Sequence, residues 1–185
     1  SGPFATQILS DLGAEIIKVE KPNGDDSRKF GPFIKKRSSY FISLNRGKKS
    51  IVVDFNNEED KKIFKKLLAI SDVIIDNFKP GTLEKYGFSS SYLKKNFPLL
   101  IQTKISGFGE TGPLKENPAY DMIVQAMGGI MSITGKDKNE TYRVGSSIGD
   151  IVAGLYAVIG VLTQIIFRNQ SKKGSRLDLS MLDCQ

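Results

Sequence analysis

Val144-Gly145-Ser146-Ser147-Ile148-Gly149-Asp150 runs without a break into an apolar segment, residues 151–168, and this junction decides how the rest is read. The segment 151–167 carries no charge, and it reads as a helix buried on nearly all faces. It contains Thr163 and Gln164 and is short for a membrane crossing, so a core helix is expected. Asp150 is the only charge at its start. The first turn of a helix presents unpaired N–H groups and the positive end of the helix dipole. A carboxylate held there stays ionised and fixed in direction, which suits a nucleophile. Ser147-x-x-Asp150 also fits a capping box, in which Asp150 serves only the helix end. Spacing alone leaves both readings open.

On either side of this junction, strands alternate with helices. Residues 3–12 have helical spacing, with Pro3 in the first turn and Gly13 as the stop. Residues 14–19, 50–55, 72–75, 99–105 and 177–181 read as strands. Asn56 or Asn57 can cap a helix over 58–69 whose buried face is Ile63, Leu67 and Leu68. Residues 83–86 and 91–95 are short helical pieces, and 120–127 is a helix that stops at Gly128-Gly129. Residues 23–37 read as a polar loop, 136–141 as a polar turn and 169–176 as a basic hairpin-like linker. The alternation predicts an α/β fold: a Rossmann-like open parallel sheet with helices on both faces. A helix feeding a first strand ordinarily follows an earlier parallel strand, and no closing element follows the last one, so a partial domain is expected. Ligands of such sheets sit beyond the carboxyl ends of the strands. Those ends are Glu20-Lys21, Asp54-Phe55-Asn56, Asn77-Phe78-Lys79 and Ser106-Gly107. The stretch from Gly107 to Gly112 matches G-x-G-x-x-G, but Pro113 and Pro118 prevent it from opening a helix, so it reads as a loop and not as a dinucleotide site.

Composition narrows the chemistry. The 185 residues contain no histidine and a single cysteine. That removes Ser-His-Asp and Cys-His catalysis, histidine-ligated zinc and cysteine-rich metal sites. No metal is expected, no internal disulfide can form, and a reducing compartment fits. The net charge of +7 points to an anionic partner such as a phosphorylated cofactor. With no basic helix and no exposed aromatics interleaved with lysine, nucleic acid is a poor fit.

The landmarks together resemble a known family. Gly2-Pro-Phe-Ala-Thr-Gln7, Leu12-Gly-Ala-Glu-Ile-Ile-Lys-Val-Glu-Lys-Pro22, Asn45-Arg-Gly-Lys-Lys-Ser50, Asp76-Asn-Phe-Lys-Pro-Gly81, Ser106-Gly-Phe-Gly109, Ala119-Tyr-Asp121 and Gly149-Asp150 follow one another as in the family III (CaiB/BaiF-like) CoA-transferases. The resemblance covers residues 1–185 and is to the amino-terminal part of the large CoA-binding domain. It implies that the first strand, the small domain and the returning carboxyl-terminal segment lie outside this chain.

The same resemblance implies a function. The family nucleophile falls on Asp150, with Asp121 as a second carboxylate and Tyr120 beside it. Coenzyme A, entering as acyl-CoA, would meet Lys21, Val53, Asp54, Phe55, Asn56, Asn77, Phe78, Lys79 and Lys85. CoA would pass to a free carboxylic acid through an aspartyl anhydride and an aspartyl-CoA thioester. Carboxylates already ionised at neutral pH need no general base, which suits a chain without histidine. The alternative is a racemase-type or non-catalytic acyl-CoA-binding homologue. The racemase histidine position falls on Tyr120, and a phenol is a poor base near neutral pH. The implied setting is an interlocked homodimer at full length, in the cytoplasm or a mitochondrial matrix, without membrane attachment.

Overall fold

The computed structural model describes residues 1–137 and 139–185, so Lys138, within the turn expected at 136–141, lies outside the described residues. The chain divides into two compact units, Pro3–Ser71 and a second made of Ser1–Gly2 with Asp72–Gln185.

In the first unit, α1 (Gly2–Asp11) is followed by β1 (Ile17–Glu20), which pairs in parallel with β4 (Lys49–Val52), Ile17 opposite Lys49 and Glu20 opposite Val52. Between them the expected polar loop is more structured than its composition suggests. It holds a 3₁₀ turn, Asp26–Lys29, and an antiparallel hairpin of β2 (Phe33–Ile34) and β3 (Arg37–Ser38). A helix that the periodicity does not reveal, α2 (Ser39–Asn45), starts where the Ser38 hydroxyl accepts the Phe41 N–H. The Lys48 ammonium donates to the Pro3 carbonyl, the Thr6 hydroxyl and the Asn45 side chain, tying α1 to α2. Burial pushes that amine down to about 8. Helix α3 (Glu58–Ile70) is capped by Asn57, with three acidic residues in its first turn. Its buried residues are Phe64 and Leu68, whereas Ile63, expected on the core face, is 43% exposed. The window 58–69 is helical as expected, but its face is rotated toward Phe64, whose ring stacks edge-on against Phe55.

The second unit is built on a parallel three-stranded sheet in the order β5 (Val73–Asp76), β6 (Ile101–Ser106), β7 (Arg176–Ser180). The central strand is buried over its whole length although it reads Ile-Gln-Thr-Lys-Ile-Ser. Most of its polar groups are matched. Gln102 accepts the Ser90 hydroxyl, Lys104 pairs with Asp76, and the Ser106 hydroxyl accepts the Gly109 N–H. Short helices α4 (Thr82–Lys85) and α5 (Ser90–Asn96) connect β5 to β6. Helix α6 (Asp121–Met127), a 3₁₀ turn at Ile130–Ile133, and the long α7 (Ile148–Ser171) lead to β7.

Helix α7 departs from expectation at both ends and along its side. It starts at Ile148, so Asp150 lies inside its first turn. It ends at Ser171 with Lys172 in the left-handed conformation, so 169–176 is a helix end followed by a turn into β7, not a hairpin-like linker. It is long and apolar enough to cross a membrane by length and composition alone. It is not buried on nearly all faces. Gly149, Ala153, Gly154, Ala157, Val158 and Val161 are buried, while Leu155, Tyr156, Ile159, Leu162, Ile166 and Phe167 are exposed. The small residues let the helix approach the sheet closely, since a Cβ on Gly160 would stand 2.3 Å from Leu177 of β7.

Gly174 closes this crossover. Its N–H donates to the Pro98 carbonyl, and a Cβ there would fall 2.4 Å from the Leu100 carbonyl oxygen. Backbone cannot yield as a side chain can. Gly174→Ala is therefore expected to destabilise the protein by roughly 3 kcal/mol, the upper range for overpacking. Gly145→Ala, where nothing stands within 4 Å, is the control and should change little. Urea midpoints of the two variants measure the difference.

Candidate active site

The second unit assembles the carboxylates. Asp150 is the third residue of α7, and its Oδ1 accepts the Ser1 hydroxyl at 2.6 Å and the Ser1 nitrogen at 2.9 Å. Its side chain is 36% exposed. The capping box does not form. Ser147 occupies the N-cap position but makes no side-chain cap bond. The α7 amides are taken instead by Asp121, from another helix. Asp121 Oδ1 accepts the N–H of Gly149 at 2.8 Å and of Asp150 at 3.3 Å. Asp121 is buried and begins α6, yet it does not cap its own helix, as its place before Met122 would suggest. Its Oδ2 accepts the Gln125 side-chain amide at 2.6 Å. Gly149 is required between the two helices: a Cβ would lie 2.8 Å from Val124 Cγ2 and 3.1 Å from Asp121 Oδ1.

Tyr120, at the N-cap of α6, is 83% exposed, and its carbonyl accepts the N–H groups of Ile123 and Val124. Space for this approach comes from Gly107, where a Cβ would meet that of Ala119 at 2.4 Å.

The end of β5 reaches the same assembly. Asn77 Oδ1 accepts the Gly2 N–H and its Nδ2 donates to the Ile105 carbonyl, so Asp150, Ser1, Gly2 and Asn77 form one continuous set. Beneath Asn77 the Lys104 ammonium donates to Asp76 Oδ2 at 2.6 Å and to the Phe78 carbonyl at 3.0 Å, while Asp76 Oδ1 accepts the Phe78 N–H. Burial pushes the Asp76 carboxyl up, against the pull of Lys104. The pair fixes the turn and leaves the Phe78 ring half exposed. Lys79 and Lys85 follow; neither is in an ion pair among the described residues, and the Lys85 ammonium lies 5.9 Å from the Tyr86 ring centroid.

The remaining expected CoA positions lie on the first unit. Lys21 is held by both oxygens of Asp26 at 2.8 and 2.9 Å, so a phosphate would have to compete for it. The Val53 side chain is buried, leaving only its backbone for recognition, and its N–H already donates to the Glu20 carbonyl. Asp54 Oδ1 accepts the backbone and side-chain N–H of Asn56, making a compact turn after β4. Phe55 packs on Phe64. Lys21, Val53, Asp54, Phe55 and Asn56 thus share one unit, and Asn77, Phe78, Lys79, Lys85, Tyr120, Asp121 and Asp150 the other.

Sequence reasoning passes over Gln125, Lys104 and Ser1. Gln125 and Asp121 stand four apart on a short apolar helix, a spacing that brings them face to face.

The whole chain, residues 1–185, matches the family model for CoA-transferase family III. The chain belongs to that family. It is 45% identical to the acetyl-CoA:oxalate CoA-transferase of Acetobacter aceti over 99% of its own length and 48% of that protein. It is 41% identical to the mouse (Mus musculus) succinyl-CoA:glutarate CoA-transferase over 100% of its length and 43% of that protein. Among solved structures, a CaiB/BaiF family protein from Brucella suis superposes with a TM-score of 0.94 at 44% identity, covering 98% of this chain and 50% of that one. The chain therefore spans about half the length of the curated relatives it matches.

At the end of β1, Glu20 is buried and meets Arg28 through both oxygens, at 2.6 and 2.8 Å, with Ser50 and the Asp25 N–H as further donors. The Arg28 hydrogen bonds above all hold Glu20 down to about 2. Asp25, although partly desolvated, is likewise brought to about 2 by Lys18 and Ser27. A carboxyl depressed in the folded state stabilises above its unfolded value and loses that contribution as pH falls through the folded value. Stability should therefore decline between about pH 4.5 and 2. Arg28→Gln should remove up to about 3 kcal/mol of it at neutral pH and flatten the acid limb, as measured by urea unfolding across pH.

Proposed function

We propose that the Asp150 carboxylate is the nucleophile that carries CoA from an acyl-CoA thioester to a free carboxylic acid. The observation that supports it is the state of Asp150: partly exposed, in the first turn of α7, with its backbone fixed by Asp121. Its free oxygen attacks the thioester carbonyl, the C–S bond breaks, and CoA leaves as thiolate from a mixed anhydride. The thiolate then attacks the Asp150 acyl carbon, which releases the donor acid and leaves an aspartyl-CoA thioester. The acceptor carboxylate attacks that thioester and expels the thiolate again. The thiolate finally takes the acceptor acyl group and restores Asp150. No proton is transferred at any step, which suits a chain without histidine. Oxyanions form at each attack, and backbone N–H groups of the turn before α7 are suited to receive them. The exposed phenol of Tyr120 offers no base for a racemase reaction.

Family membership, with coverage of about half of each relative, supports the amino-terminal reading as well. In this reading the chain is the amino-terminal part of a large CoA-binding domain, and the whole protein acts as an interlocked homodimer in the cytoplasm or a mitochondrial matrix. Lys79 and Lys85 carry the CoA phosphates, with Lys21 assisting after release from Asp26.

Two experiments on the full-length protein test this. Asp150→Asn keeps the shape and cannot form the anhydride, so transfer should fall by well over the roughly hundredfold typical of losing one proton-transfer group. Hydroxylamine trapping with acyl-CoA, followed by mass spectrometry, should locate the adduct on Asp150. An adduct elsewhere would remove the assignment. Separately, Lys79→Ala and Lys85→Ala should each weaken CoA binding by roughly 1 kcal/mol, and Lys21→Ala by less because Asp26 already holds it. Calorimetric CoA titrations decide between that order and equal effects.

A further inference from the structure

Gln125 is 0% exposed, and it sits in the middle of α6 where an apolar side chain would pack at lower cost. Its amide is fully used. Nε2 donates to Asp121 Oδ2 at 2.6 Å and reaches the Ser146 carbonyl at 3.4 Å, while Oε1 accepts the Val144 N–H at 2.8 Å. The partners settle its orientation, because a carboxylate needs a donor and an N–H needs an acceptor. Few side chains offer both from one planar group, and asparagine would be a methylene too short to span the same gap. Asp121 passes the constraint on through its other oxygen to the N–H groups of Gly149 and Asp150. One chain of hydrogen bonds thus runs from the Val144 backbone through Gln125 and Asp121 to the Asp150 backbone.

We propose that Gln125 is a positioning residue for the nucleophile. It locks the Asp121 carboxylate and the 144–146 backbone in one arrangement, so that Asp150 is presented at a fixed place and angle. Gln125 touches no reacting atom; it acts through Asp121. A neutral amide is the required chemistry, since a cation would divert Asp121 from the α7 amides and a second carboxylate would repel it. The inference rests on Asp150 being the nucleophile.

The test uses the full-length protein in three forms: Gln125→Glu, Asp121→Asn, and the two combined. In Gln125→Glu two carboxyl groups share the 2.6 Å contact and must hold one proton between them. While protonated, the new acid donates as the amide did. As pH rises the pair ionises as a unit and separates. The kcat should then fall with rising pH along a limb absent from the parent, with KM for acyl-CoA within about twofold, because displacement at the reacting centre is lost orientation and not lost binding. In Asp121→Asn two amides face each other and one bond of the chain is lost, so kcat should drop on the order of 10- to 100-fold. In the combined variant the amide introduced at 121 donates to the carboxylate introduced at 125, which also accepts the Val144 N–H. Those bonds are restored with the charge moved, so kcat should recover at least about tenfold over the slower single variant and the alkaline limb should vanish, a non-additivity expected only of directly coupled residues.

A Gln125→Glu pH profile that parallels the parent overturns the proposal. So does a combined variant that fails to fold or is no faster than the slower single. If Gln125→Glu alone fails to fold, recovery of folding and turnover in the combined variant supports the proposal, and no recovery overturns it. The adduct trapped in the parent tests the nucleophile separately: an adduct away from Asp150 removes that reading, whereas an adduct on Asp150 with additive variants removes this one alone.

Discussion

The acceptance of two α7 amides by the Asp121 carboxylate is the interaction on which the site depends. A helix start leaves N–H groups unpaired and partial positive charge exposed. Most helices meet this with a residue of their own at the N-cap, and here Ser147 is in place but unused. The acceptor comes from α6, so satisfying the helix end also joins two helices. A carboxylate in a partly buried position of this kind is worth up to about 2 kcal/mol to the helix. The same carboxylate fixes the backbone of Asp150, so the helix end and the placement of that side chain depend on one contact. The glycine at 149 follows from it, because any side chain would separate the partners.

A second constraint comes from the buried strand β6. Lys104 and Asp76 form an ion pair with little solvent around either, and such pairs seldom add much net stability over apolar replacements. Their contribution is geometric. Lys104 also binds the Phe78 carbonyl, so the turn at the carboxyl end of β5 has one conformation and delivers Asn77 toward Gly2. Polar residues in the sheet thereby shape the loops that close over its end.

Much of the architecture is legible in the sequence because period and punctuation agree. The α3 stretch, the strands ending at Glu20, Asp76 and Ser106, and the family motifs all lie close to where the residue pattern puts them. The failures share a cause. Ser147-x-x-Asp150 is a sound local pattern defeated by an acceptor 29 residues away. Gln125 and Lys104 lie in apolar surroundings whose partners sit on other segments, so neither stands out along the chain. Ile63 and Phe64 are neighbours, and tertiary packing decides which faces inward. Helix α2 mixes aromatic and hydroxyl residues whose propensities favour no one structure. The exposed side of α7 is hidden in the sequence because an uncharged run looks the same whether one face or all are covered.

Both ends of α7 are clamped. Asp121 grips its first turn, and near its far end Arg168 donates to the Asp72 side chain at 2.8 Å and reaches the Asp72 and Leu99 carbonyls. Between Gly149 and Arg168 it rises about 29 Å and acts as a ruler between Asp150 and the opposite end of the sheet. Such a helix tolerates exchange of letters on its exposed side but not a change of length. One inserted residue would turn everything beyond it by about 100° and shift it by about 1.5 Å, so that the two clamps could no longer close together. The exposed side of this segment is thus free to vary in composition, while the segment as a whole is closed to insertion or deletion.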